Sequence, residues 1–201
     1  MVVHSGTKYL GGHADLVMGF IITNNKELYD KIYFFGFAIG PIPSPFDCYL
    51  VLRSLKTLKV RMHAINDNAQ KVAEYLESRK DVVERVIYPG LKSHPHYQIA
   101  WKQSTGNAGI VTFILKNGTL EDSRRFLKQV KIFILAESLG GCESLAEVPA
   151  LMTHASVPPE HWVKVGIKDG LIRLAIGLEE FEDLKKDLDQ ALNIVKSHKK
   201  K

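Results

Sequence analysis

Apolar and polar positions follow different periods along this chain, and the switches between periods mark its elements. Residues 14–24, ADLVMGFIITN, form a nearly continuous apolar run and predict a buried strand. NKELYDKIYFFGFAIG, residues 25–40, predicts a helix that stops at glycine. The proline-rich GPIPSPF then breaks the pattern. Beyond it Leu55, Leu58, Met62, Ile65, Ala69, Val72 and Leu76 recur every three or four residues, one apolar stripe on a long helix from about Asp47 to Arg79. A helix of that length can join two domains. After Tyr88 and Pro89 the elements shorten. VVERVIY, GIVTFIL, KIFIL and LIRLAI predict strands, one helix follows a cap near Thr119, and another begins near Glu180. This second part reads as an α+β domain of modest size.

The 201 residues, 45% hydrophobic and 24% charged, are enough to bury a real core. Apolar runs never reach the roughly 18 residues of a membrane span, and the first residues lack the basic-then-apolar pattern of a secretory signal. The expected location is therefore the cytoplasm, with no membrane partner. Cys48 and Cys142 stand far apart without a CxxC pair, which predicts small buried apolar side chains and neither a disulfide framework nor structural zinc. Of the formal charge of +5, four units belong to Lys196, Lys199, Lys200 and Lys201, which leaves +1 for the body. KSHKKK predicts a solvated helix end; without basic–aromatic interleaving or a helix-turn-helix signature, no nucleic-acid partner is expected. His94 and His96 flank a proline without a convergent third ligand, so no metal is expected there.

Three places carry candidate chemistry. In HSGTKYLGGHADLVMG, Lys8 lies among Ser5, Gly6 and Thr7 and is followed by Gly11 and Gly12, whose backbone can approach another group closely. TK by itself equally describes an exposed turn lysine. In LIRLAIG, Arg173 is flanked by aliphatic residues and must place its guanidinium on something polar; pattern alone predicts a core ion pair with an acid such as Glu179 or Glu180. In LAESLGG, residues 135–141, a short strand ends in a glycine turn that permits close approach of a ligand. Read alone, Glu137 is a solvated loop acid and Ser138 a helix cap. PALMTHAS, with Thr153 and His154, reads as a packing and positioning segment.

Together, HSGTKYLGGHADLVMG, PSPFDCYLVLRSLKTLKVRM, YPGLKSHP, LAESLGGCESLAEVPALMTHAS and LIRLAIGLEEFEDLKKDLDQAL resemble the C-terminal half of the cystathionine γ-lyase branch of the pyridoxal-phosphate-dependent cysteine and methionine metabolism family. The resemblance runs in order over nearly the whole chain. It implies an α/β architecture of aspartate-aminotransferase-like fold type I. Residues 1–58 would be a remnant of the large cofactor domain with its Schiff-base lysine, and residues 59–201 the α+β C-terminal domain with its linking helix. It further implies that Lys8 holds pyridoxal 5'-phosphate and acts as a local base, with the Ser5 and Thr7 hydroxyls donating to the cofactor phosphate. Arg173 would clamp the substrate α-carboxylate with its planar fork, Ser138 would lie beside that carboxylate, and Glu137 would face the distal ammonium of L-cystathionine. The implied reaction is carbon–sulfur cleavage in trans-sulfuration, cystathionine giving cysteine, 2-oxobutanoate and ammonia, in a cytoplasmic homotetramer.

Family members are longer than this chain by about its own length. Their other half supplies a glycine loop for the phosphate, a ring that stacks on the cofactor, a tyrosine near the reacting carbon and an aspartate for the pyridine nitrogen. The expectation is therefore a fragment or truncated form of such a lyase. The alternative is a non-catalytic truncated paralogue that associates with a full-length relative.

Overall fold

β1 (Val2–Ser5) and β2 (Gly19–Ile22) pair antiparallel, with Val2 opposite Ile22 and Ser5 opposite Gly19. This ribbon belongs to the first of two units, Met1–Val60 and Arg61–Lys201, in a computed structural model that describes residues 1–153, 162 and 166–198. The ribbon corrects the expected buried strand at 14–24. The chain turns at Gly12 and Ala14, both at positive φ, and only four residues of the run become strand, mostly exposed because a two-stranded ribbon has no second layer to bury it.

α1 (Lys26–Ile39) begins where the Asn25 side chain accepts from Leu28 N at 2.9 Å, and it ends at Gly40 with φ +78°. α2 (Pro45–Leu55) is capped by Ser44, whose hydroxyl accepts from Asp47 N at 3.0 Å. The single long helix expected from about Asp47 to Arg79 is two helices, α2 and α3 (Leu58–Ser78). Lys56 N and Thr57 N donate to Arg53 O and Ser54 O, three residues back, and the Thr57 hydroxyl donates to Ser54 O at 3.0 Å. A threonine side chain thus competes for a helix carbonyl and the winding tightens there.

In the second unit, β3 (Val83–Ile87), β4 (Ile110–Leu115), β5 (Ile134–Leu135), β6 (Leu145–Glu147) and β7 (Leu171–Ala175) form one sheet in the order β3-β4-β7-β6-β5. Only the β5–β6 pair is parallel. Alternate residues Val111, Phe113, Leu115, Ile172 and Leu174 turn one face into a core shared with Ala69, Val72 and Leu76 of α3, Phe126 of α5 (Leu120–Gln129) and Leu184, Leu188 and Leu192 of α6 (Phe181–His198). The Thr119–Asp122 capping box starts α5 as its sequence predicts.

α4 (Tyr97–Gln103), β1 and the three-residue β6 are too short to leave a periodic signal, and sequence reading misses them. Lys196 is not a loose tail lysine but pairs with Asp81 at 2.7 Å; Lys199–Lys201 lie outside the described residues. Cys48 and Cys142 form no disulfide, and they are half-buried where full burial was expected.

Candidate functional site

In the first unit the lysine turn is built by backbone closure. β1 delivers the chain into a tight turn over Gly6–Leu10, interrupted at Lys8, whose φ −88° and ψ −125° are not helical. Gly6 N and Thr7 N both donate to Met18 O, at 2.7 and 3.2 Å, while Gly11 N donates to Gly6 O and Gly12 N to Lys8 O, each at 2.7 Å. This closure requires glycine. A Cβ at Gly6 would stand 2.7 Å from the Phe20 ring, and one at Gly11 would stand 2.7 Å from Gly6 O. Lys8 is half-buried in the result.

The hydroxyls on either side differ. Ser5 ends β1 with an exposed side chain that caps nothing. Thr7 Oγ1 accepts from Met18 N at 3.1 Å and reaches Met18 O at 3.4 Å, a contact long enough to yield to a stronger acceptor. Two residues here escape sequence reading. His13 Nδ1 lies 2.7 Å from Gly11 O and 3.1 Å from the buried Ser54 hydroxyl on α2, which ties the turn to that helix. A separation of 41 positions between His13 and Ser54 leaves no local signal of this pair.

In the second unit the structure brings Arg173 and Ser138 together. Arg173 sits in β7 between the buried Ile172 and Leu174, so strand alternation turns it to the face away from the core, opposite Thr112 on one side and Glu147 on the other. Its Nε forms an ion pair with Glu147 Oε1 at 2.9 Å, and its Nη2 donates to Ser138 O at 3.0 Å. Thr153 Oγ1 also donates to Glu147 Oε1, at 3.4 Å; His154 lies outside the described residues.

The ion-pair acid is thus Glu147, neither Glu179 nor Glu180. Glu179 is engaged elsewhere, accepting from Ser144 N and from the Ser144 hydroxyl, each at 2.7 Å. Buried Asn68 of α3 donates to Gly177 O and Glu179 O and anchors the same turn. Ser138 caps no helix. It holds φ +118°, a strained value for a residue with a side chain, and Gly140 follows at +81°. Glu137 is exposed in this loop. Burial, with help from Glu143, pushes the Cys142 thiol up, which keeps it protonated and poorly nucleophilic. Burial first, then His96 and Arg85, pushes His94 down. Among the described residues no three His, Cys, Asp or Glu side chains converge for a metal, and no helix is long and apolar enough to cross a membrane.

Residues 1–193 match the Cys/Met metabolism PLP-dependent enzymes. The chain belongs to that family. It is 54% identical over 193 residues to cystathionine gamma-lyase of Dictyostelium discoideum, covering 96% of this chain and 49% of that protein. Among solved structures it resembles cystathionine gamma synthase from Xanthomonas oryzae pv. oryzae in complex with aminoacrylate and cysteine, with a TM-score of 0.92, 40% identity and coverage of 97% of this chain and 50% of that one. It also resembles cystathionine gamma-lyase from yeast, with a TM-score of 0.91, 45% identity, and 96% and 49% coverage. The chain spans about half the length of the relatives it matches. Its fold is the aspartate-aminotransferase-like α/β fold of these enzymes.

The family's cofactor is pyridoxal phosphate. The lysine turn fits it chemically: an amine is held in a backbone closure with no room for Cβ atoms at Gly6 and Gly11, beside one exposed hydroxyl and one held by an exchangeable contact.

Proposed function

We propose that this chain is the C-terminal part of a pyridoxal-phosphate-dependent carbon–sulfur lyase that takes L-cystathionine to cysteine, 2-oxobutanoate and ammonia. When bound, the cofactor supplies an electron sink conjugated to the substrate α-carbon. Lys8 Nζ is the attachment point and afterwards the base that takes the α-proton, a role suited to an amine whose backbone is fixed on both sides. Ser5 and Thr7 donate their hydroxyl protons to the phosphate. Arg173 takes the substrate α-carboxylate beside Ser138, and Glu137 meets the distal ammonium.

The observation that carries this reading is the glycine closure around Lys8, which an ordinary turn lysine does not need. The test is a fusion in which this chain replaces the matched half of the yeast enzyme. It should release 2-oxobutanoate from cystathionine, and Lys8→Ala should abolish release. A fusion that folds and binds pyridoxal phosphate yet cleaves no cystathionine would overturn the proposal.

A second reading, a non-catalytic truncated paralogue that associates with a full-length relative, draws support from the first unit. Phe34, Phe35, Phe37 and Ile39 of α1 are all exposed there, and apolar surface of that extent suits a partner.

A further inference from the structure

Glu147 belongs to none of the segments that point to chemistry by pattern, yet its side chain is only 1% exposed and carries a carboxylate. Burying such a group is unfavourable unless it is paired, and its partner is Arg173, its direct cross-strand neighbour between β6 and β7. The way the pair is made matters. Glu147 Oε1 meets the guanidinium at Nε, 2.9 Å away, and Ser138 O takes one Nη2 proton. A guanidinium has five N–H donors, so both Nη1 protons and the second Nη2 proton remain, none of them engaged by another described residue. Nη1, at the end of the side chain, thus keeps both of its protons for a ligand, and planar guanidinium donors suit the oxygens of a carboxylate. The Arg173 side chain is 24% exposed, enough to reach a ligand, while the acid that holds it is sealed from solvent.

We infer that Glu147 is a positioning residue. By pairing with the guanidinium at Nε it fixes the Arg173 side chain so that Nη1 is presented to the α-carboxylate of an amino-acid ligand. This rests on the reading of Arg173 as the carboxylate clamp. Ser138 O, aimed by its strained φ, is the second point of attachment, and two points prevent rotation of the guanidinium plane. Without Glu147 the long side chain would retain many rotamers and would have to be ordered at each binding event.

The test is NMR on the 201-residue chain with ¹⁵N-labelled arginine, titrated with L-cystathionine, the Arg173 signals being assigned by their loss in Arg173→Lys. The wild-type Nη signals should shift saturably while the Nε–H signal, held by Glu147, stays in place and exchanges slowly. Glu147→Gln keeps an acceptor for Nε and should bind within about threefold of wild type, whereas Glu147→Leu, of similar size without an acceptor, should bind at least about tenfold more weakly. Equal binding by Glu147→Leu, or a Nε–H signal that moves in step with Nη, overturns the inference. If Glu147→Leu fails to fold, the Nε and Nη responses of the wild type decide. Saturable binding with no shift at Arg173 would instead remove the clamp reading itself, and the inference with it.

Discussion

At the scale of single residues, the chemistry is legible where a side chain sits in unusual company. Lys8 among glycines and Arg173 among aliphatics stand out in the sequence, and both prove to be held by close, specific contacts. Their partners do not stand out. Glu147 becomes the neighbour of Arg173 only through strand register, and Ser54 reaches His13 from another element, so neither pairing has a local pattern to betray it. Ser138 gives a test at this scale. Its φ of +118° is strained for any residue with a Cβ, and its carbonyl is one of the two points that hold Arg173. Ser138→Val, branched at Cβ, should lower Tm by the equivalent of about 1–3 kcal/mol, while Ser138→Gly, which tolerates positive φ, should not. Thermal unfolding of the two variants checks this; equal losses would mean that the backbone at Ser138 is not under strain.

At the scale of elements, hydrophobic period located most helices and strands of the second unit but missed what depends on hydrogen-bond competition or on length. The break between α2 and α3 follows from Thr57 bonding to a helix carbonyl, which an unbroken apolar stripe conceals. The contact between α3 and α6 carries a pH dependence. The Tyr75 hydroxyl donates to Asp189 at 2.7 Å and accepts from Arg79 Nη1 at 2.9 Å. Burial, followed by the bond to Asp189, pushes the Tyr75 phenol up to about 12. The folded chain therefore holds this proton more tightly than the unfolded chain, whose tyrosines titrate near about 10. The stability this contributes is complete below about pH 10 and is lost as pH rises through that value to about 12. Tyr75→Phe should flatten the alkaline fall of Tm in that window. An unchanged alkaline limb would show that another group controls it.

At the scale of the whole chain, the two units differ in how they bury their apolar residues. The second has a closed core of fully buried side chains drawn from α3, α5, α6 and the sheet. In the first, no residue of α1 is buried, and Val17, Phe37 and Ile39 are 84%, 76% and 76% exposed. Exposed apolar surface of this extent marks an interaction site or an aggregation liability. The purified chain should therefore bind a hydrophobic dye and associate increasingly with concentration, and Phe37→Glu with Ile39→Glu should reduce both while leaving the unfolding of the second unit unchanged. Light scattering across a concentration series checks this, and a dye-silent monomer would contradict it. Family membership was legible from five segments in register because identity runs through both units, whereas this contrast in burial was not, since the α1 segment reads as an ordinary helix in sequence.

The proposal that Lys8 receives pyridoxal phosphate requires it to react ahead of the other lysines of this chain. The direct measurement is reduction with borohydride after incubation with pyridoxal phosphate, followed by peptide mass spectrometry of every lysine. Surface lysines such as Lys26, with a side chain 79% exposed, provide the background set by accessibility. The label should concentrate on the peptide carrying Lys8, although Lys8 is half-buried, and Gly11→Ala, which would press a Cβ against Gly6 O, should lower it to background. Label spread over the lysines in proportion to their exposure, with Lys8 below Lys26, would contradict the proposal.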